Sequence, residues 1–189
     1  PTGLSVPRDD VLSLARLLEP HNCRLIVDES FIEFAQAGIN ASVETMVEKH
    51  NNLVVIKSMS KVFGVAGIRL GYLLSADRAF ITAVRASLPI WNINGLAEEF
   101  LRLVGCYRRE FFTSCELTRE TCHQFYLDLF ALPGINLNKP DANFILCKLT
   151  NQAATGPELP PRIYVDHNCF LYPSPHPRDA TLSRLPSPP

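Results

Sequence analysis

An α/β fold, with three layers around a mainly parallel sheet and a smaller α+β unit after it, is what the sequence predicts. Three observations predict it. Two short, nearly continuous apolar runs, residues 24–28 (RLIVD) and 53–56 (LVVI), suit strands buried on both faces of a parallel sheet. Helical segments lie before, between and after them, in the alternation that such sheets require. A helical pattern of about forty residues, 94–132, then leads to a further strand-like run at 142–147.

Taken in order, residues 5–19 put Val11, Leu12, Leu14, Ala15, Leu17 and Leu18 at helical spacing. Ser5 is a candidate cap, and Asp9 and Asp10 sit where a helix dipole favours acids. The strand at 24–28 ends in Asp28, so its carboxyl end is expected to face a site. A second helix is expected over 42–49, then the strand at 53–56 and the sequence Ser58-Met-Ser-Lys61. A turn carrying Gly64 and Gly67 leads to a strand-like run over 68–74 and a helix from near Ala76.

Between 94 and 132, Leu96, Phe100, Leu103, Val104 and Tyr107 form one apolar stripe, with Glu98, Arg102 and Arg109 elsewhere. A helical segment this long suits a bridge between two domains, and Pro133-Gly134 ends it. Trp91, beside Asn92 and Asn94, reads as packing plus capping. After Gly156 there is no glycine and nine of the fifteen prolines appear, so the end of the chain lacks the apolar surface needed to offset its ordering entropy. The expected division is a first domain at 1–93, a helical connection at 94–132, a partial smaller domain at 133–170 and a disordered proline-rich tail at 171–189.

Composition narrows the function classes. A formal net charge of −1, with 47% hydrophobic and 20% charged residues, gives no reason to expect nucleic acid or an acidic membrane as partner. No apolar run approaches the roughly 20 residues of a membrane helix, and PTGLSVPRDD lacks the features of a signal peptide, so a cytoplasmic protein is expected. The six cysteines, Cys23, Cys106, Cys115, Cys122, Cys147 and Cys169, form no CxxC pair and have no histidine at ligand spacing. They read as reduced, mostly structural thiols, with no metal site.

Chemistry is concentrated in residues 58–72, Ser58-Met-Ser-Lys61-Val-Phe-Gly64-Val-Ala-Gly67-Ile-Arg69-Leu-Gly71-Tyr72. A lysine at the end of a buried strand, with Ser58 three residues before it and Arg69 eight after, sits among groups suited to a phosphate. This pattern resembles the cofactor-lysine motif of the class I and II aminotransferases. The likeness extends to Asp28-Glu29-Ser30-Phe31-Ile32-Glu33-Phe34 and to the opening Pro1-Thr2-Gly3, and covers roughly residues 1–150.

The resemblance implies fold type I of the pyridoxal-phosphate enzymes: part of the large domain with its mainly parallel sheet, then a truncated small α+β domain. It implies pyridoxal 5'-phosphate as cofactor and Lys61 as the lysine that holds it and moves protons. Asp28 would face the cofactor's ring nitrogen, and Ser58 and Arg69 its phosphate. Phe31 stands where many members carry a tyrosine that bonds the ring hydroxyl. The branches most similar are histidinol-phosphate aminotransferase, which tends to have that tyrosine, and threonine-phosphate decarboxylase, which is nearer the DESF form. A homodimer acting on an amino-acid-type substrate and a 2-oxo acid is implied, by transamination or by decarboxylation.

Two other readings compete. RLIVDE has the form of a nucleotide-binding strand that would place Asp28 and Glu29 at magnesium, but no GxxxxGK[ST] occurs and the 58–72 pattern is left unexplained. The second is a catalytically incompetent fragment, expected because the family's amino-terminal third lies outside the sequence. The loss of family pattern after about Phe170 is what a changed reading frame would give. Arg178 and Arg184 fall outside the motif from which the family binds a substrate carboxylate.

Overall fold

The structure is a computed structural model and describes residues 2–150. Pro1, residues 151–170 of the expected smaller domain, the tail expected at 171–189, Cys169, Arg178 and Arg184 lie outside the described residues.

Helix α1 (Arg8–Leu18) starts after Pro7, which occupies the N-cap position in place of Ser5. Proline suits a helix start because it has no N–H to leave unpaired. Strand β1 (Leu25–Asp28) pairs in parallel with β2 (Leu53–Ser58), from Leu25↔Leu53 to Asp28↔Ile56. Strand β3 (Gly71–Ser75) runs antiparallel to β2, from Ser58↔Gly71 to Val54↔Ser75. The order is β1-β2-β3, so the described sheet has one parallel and one antiparallel pair.

Side chains alternate across a sheet, and the two faces differ here. Leu53 and Val55 of β2 pack with Leu12 of α1, with Val43 and Val47, and with Leu25, Val27 and Leu74. Ile56 and Leu73, on the opposite face, share a cleft with Ile81 and Val84 of α3 (Arg78–Ser87), which forms the third layer. β1 is not buried on both faces as its run of apolar residues suggested. Ile26 is 59% exposed, because α1 covers only the face that carries Leu25 and Val27.

Other expected boundaries shift for local reasons. Residues Glu44–Lys49 form a 3-10 helix rather than the α-helix expected over 42–49. The β-branched Val43, Thr45 and Val47 lower helix propensity there, and Ser42 is held outside the turn by Glu29. β3 begins at Gly71 and not at Ile68, because Arg69 has the left-handed φ of 57°, which no strand accommodates. Gly71 has no substitute: a Cβ there would lie 2.7 Å from the Lys57 carbonyl oxygen.

The 94–132 region is two helices, α4 (Gly95–Val104) and α5 (Arg108–Phe130), joined by the 3-10 turn Gly105–Tyr107. At 23 residues, α5 is about 35 Å long. Asn94 caps α4 by accepting the Ala97 N–H at 2.9 Å. The packed face is rotated from the expected stripe: Ala97 and Phe100 meet Met59 and Leu70, while Leu96, Leu103 and Tyr107 are exposed. Phe63 stacks on Phe111 of α5 at 4.1 Å, and Phe34, Val62 and Cys115 form a core beside them. Of packing plus capping around Trp91, the capping is supplied by Asn94, but the packing is not seen: Trp91 is 92% exposed with a φ of 59°.

Strands β4 (Ile135–Leu137) and β5 (Cys147–Leu149) make an antiparallel pair. The strand expected over 142–147 starts only at Cys147. The segment before it is tied to the amino-terminal end, where the Asp141 N–H donates to the Gly3 carbonyl at 2.6 Å. Gly3, at φ 75°, sits so close to Phe144 that a Cβ would lie 2.8 Å from its carbonyl oxygen.

Among the described residues, five cysteines are free, and burial pushes the Cys115 and Cys122 thiols up. No described helix is long and apolar enough to cross a membrane, and no described cluster of three or more His, Cys, Asp and Glu could hold a metal ion.

Candidate active site

The strand ends gather the polar groups. Asp28 closes β1, and the next N–H, of Glu29, donates to the Ile56 carbonyl at 2.9 Å, which keeps the two strand ends in register. Asp28 Oδ1 accepts two hydrogen bonds from Ser30, from its N–H at 2.9 Å and its hydroxyl at 2.5 Å. Ser58 closes β2, and its N–H donates to Ser30 Oγ at 2.9 Å. The short helix α2 (Met59–Val62) follows and carries the buried Ser60 and the exposed Lys61. Arg69 then turns back: its Nη1 donates to Ser60 Oγ at 3.4 Å and to the Ala66 carbonyl at 3.1 Å.

Asp28, Ser30, Ser58, Ser60, Arg69 and Gly71 line one open cleft of about 710 Å³. Of the sequence-derived candidates, the cleft therefore unites Asp28, Ser58 and Arg69. Lys61 and Phe31 are not in its wall. They face each other, with Lys61 Nζ 5.1 Å from the Phe31 ring centroid, a cation–π contact. Phe31 also meets Phe144 edge-on at 5.4 Å and Phe34 at 6.4 Å.

Below the cleft the segment that carries Asp28 and Phe31 is anchored by buried carboxylates. Glu29 Oε2 accepts the Ser42 hydroxyl at 2.6 Å, and Oε1 accepts the Val43 N–H at 2.7 Å. Burial pushes the Glu29 carboxyl above its ordinary range, and those two bonds draw it partway back. Glu33 forms an ion pair with Lys57 of β2, and Lys57 also lies 3.6 Å from Glu44. The Tyr72 hydroxyl donates to Glu44; burial, then that bond, push its phenol far up. Arg119 of α5 donates to the Glu33 carbonyl at 2.6 Å.

Sequence reasoning missed Ser30, Ser60 and Lys57 as parts of this arrangement. Ser60 had a visible signal, its place immediately before Lys61. A strand lysine such as Lys57 reads as a surface residue, and only the fold brings Glu33 and Glu44 to it.

The donor set has a definite chemistry. A guanidinium with two serine hydroxyls suits a phosphate. A carboxylate oxygen without a partner among the described residues, Asp28 Oδ2, suits a protonated ring nitrogen. With a lysine directly after Ser60, the residues present fit pyridoxal phosphate.

Comparison with known proteins agrees. The family described as "Aminotransferase class I and II" matches residues 1–158. A CMP-5'-(3-aminopropyl)phosphonate synthase of Streptomyces rubellomurinus is 46% identical over 159 residues, covering 84% of this chain and 25% of its own length. An L-serine phosphate decarboxylase of Campylobacter jejuni is 37% identical over 141 residues, covering 69% of this chain and 35% of its own. The solved histidinol-phosphate aminotransferase of Clostridium acetobutylicum superposes with a TM-score of 0.76 at 26% identity, covering 87% of this chain and 49% of that one. The chain thus spans between a quarter and a half of these relatives. The match takes in both the 28–34 and the 58–72 patterns, which the nucleotide-binding reading of RLIVDE does not. The chain belongs to the class I and II aminotransferase family, whose members are pyridoxal-phosphate enzymes of fold type I.

Proposed function

We propose that Lys61 is the residue to which pyridoxal phosphate attaches, that Asp28 meets its ring nitrogen, and that Ser58 and Arg69 hold its phosphate. The observation that carries this reading is the convergence of Asp28, Ser58 and Arg69 on one cleft, with Lys61 directly after the cleft residue Ser60. When bound, the cofactor supplies an electron sink for the bonds at a substrate α-carbon. Asp28 holds a proton at the ring nitrogen. The Lys61 amine would hold the cofactor and would serve as the base and acid that moves a proton at the substrate α-carbon. Arg69 and the hydroxyls of Ser58 and Ser60 would orient the phosphate, and Phe31, which has no hydroxyl, would offer the cofactor no hydrogen bond.

The reaction we assign is amino-group transfer between an amino acid, or a phosphorylated amino compound, and a 2-oxo acid, in the manner of histidinol-phosphate aminotransferase. Decarboxylation of a phosphorylated amino acid is a second reading, supported by the 37% identity to an L-serine phosphate decarboxylase. Phosphate or phosphonate appears in the names of all three relatives, which supports a substrate carrying a phosphorus oxyanion. We read residues 1–93 as large domain, 94–132 as its connection to the small domain at 133–170, and the working form as a cytoplasmic homodimer.

The test is to add pyridoxal phosphate, reduce with borohydride and map the labelled peptide. Label on Lys61, lost in Lys61→Ala, supports the assignment; label on Lys57 or Lys49 would sink it. Incubation with L-serine phosphate and 2-oxoglutarate then separates the reactions, glutamate marking transfer and carbon dioxide marking decarboxylation.

A further inference from the structure

We propose that Ser30 is the positioning residue of this site: its hydroxyl locks the Asp28 carboxylate in one orientation and ties it to the end of β2, the strand that leads to Lys61. The inference rests on the reading of Asp28 as the partner of the ring nitrogen.

Hydrogen-bond chemistry fixes the direction of the bonds. Ser30 Oγ lies 2.9 Å from the Ser58 nitrogen and 2.5 Å from Asp28 Oδ1. A backbone N–H only donates and an ionised carboxylate only accepts, so the single serine proton points at Asp28 while the oxygen lone pair takes the Ser58 N–H. The relay runs from Ser58 N–H to Ser30 Oγ and from Ser30 O–H to Asp28 Oδ1. A second bond to the same oxygen comes from the Ser30 N–H at 2.9 Å. With both bonds on Oδ1, rotation of the carboxylate is blocked, and Oδ2 accepts none of the hydrogen bonds found among the described residues.

Ser30 also continues the sheet by one rung. The last backbone bond between the two strand ends is Glu29 N–H to the Ile56 carbonyl. The next donor along β2, the Ser58 N–H, meets a side-chain oxygen 28 residues away in sequence instead of a carbonyl. A purely local turn within residues 28–30 would not need this contact. Ser30 thus couples the placement of Asp28 to that of Ser58, three residues before Lys61. All three residues of the relay line the cleft.

The test uses the full chain with Ser30→Ala, Ser30→Thr and Asp28→Ala. Without cofactor, three-bond NMR couplings to Asp28 Cγ report its χ1 rotamer. One rotamer is expected in the native chain and in Ser30→Thr, and rotamer averaging in Ser30→Ala, with Ser58 amide exchange quickened about fivefold by loss of one hydrogen bond. With 15N-labelled pyridoxal phosphate bound, the ring-nitrogen shift of Ser30→Ala should move toward that of Asp28→Ala, while Ser30→Thr keeps the native value. A single Asp28 rotamer in Ser30→Ala overturns the proposal. A ring-nitrogen shift unmoved by Asp28→Ala overturns the role of Asp28, while the couplings still decide whether Ser30 holds it. Should Ser30→Ala not fold, Ser30→Cys, with its weak thiol donor, takes the same couplings.

Discussion

The Lys57 ammonium and the Glu33 carboxylate meet as an ion pair inside the protein, their side chains 4% and 5% exposed. Among the described residues Glu33 Oε2 finds no hydrogen bond, so Lys57 is the principal compensation for that buried charge. The pair joins the segment after Asp28 to the strand that leads to Lys61. Lys57→Met should therefore destabilise the chain by about 3–5 kcal/mol, because it leaves carboxylates buried without a counter-charge. Adding Glu33→Leu should restore part of the loss. Urea unfolding of the two variants checks this; a double variant weaker than Lys57→Met would refute the coupling.

Glu29 gives the chain a pH dependence with a definite sign. Its carboxyl is raised above the ordinary value of 4.5, so in that region the folded state binds more protons than the unfolded one. The contribution is fully present below about pH 4.5 and is lost as pH rises through the folded value. The stability difference between native protein and Glu29→Gln, followed across that window, should shift in favour of the variant as pH rises. A difference running the other way would show that the hydrogen bonds from Ser42 and Val43 outweigh burial.

At Gly71 the constraint is steric. Gly71→Ala drives a methyl to 2.7 Å from the Lys57 carbonyl, a backbone atom that cannot rotate away, and so forces β2 and β3 apart. A loss of about 1–3 kcal/mol is expected. Thermal unfolding followed by circular dichroism measures it, and an unchanged midpoint would mean that the strands separate at no cost.

Arg69→Ala should weaken pyridoxal phosphate by about tenfold or more, the worth of a charged hydrogen bond. Pyridoxal lacking the phosphate should bind both proteins alike. An equal loss for the two ligands would remove Arg69 from the phosphate and make it a support for Ser60, with which it already bonds.

Much of this was legible in the sequence because it depends on local pattern. The apolar runs gave β1 and β2, Asn94 gave the start of α4, and the 58–72 pattern singled out Ser58, Lys61 and Arg69 as candidates. Features set by distant neighbours were not legible. Whether Ile26 is covered depends on which helix lies over its face. Where β3 starts depends on the left-handed turn at Arg69. Lys57 and Ser30 look ordinary in sequence, and their importance arises only when Glu33 and Ser58 arrive beside them. The Lys61 amine rests against Phe31 and not in the cleft wall, a placement that no motif encodes.

Trp91 is the sole tryptophan of the chain and stands almost wholly in water. Its fluorescence will therefore emit at long wavelength in the native protein and change little when the core around Leu53 and Val55 melts. Unfolding must be followed by another signal. The same property makes the indole a clean optical gauge of the 88–93 segment: any blue shift in solution reports that something has come to lie over that stretch of chain.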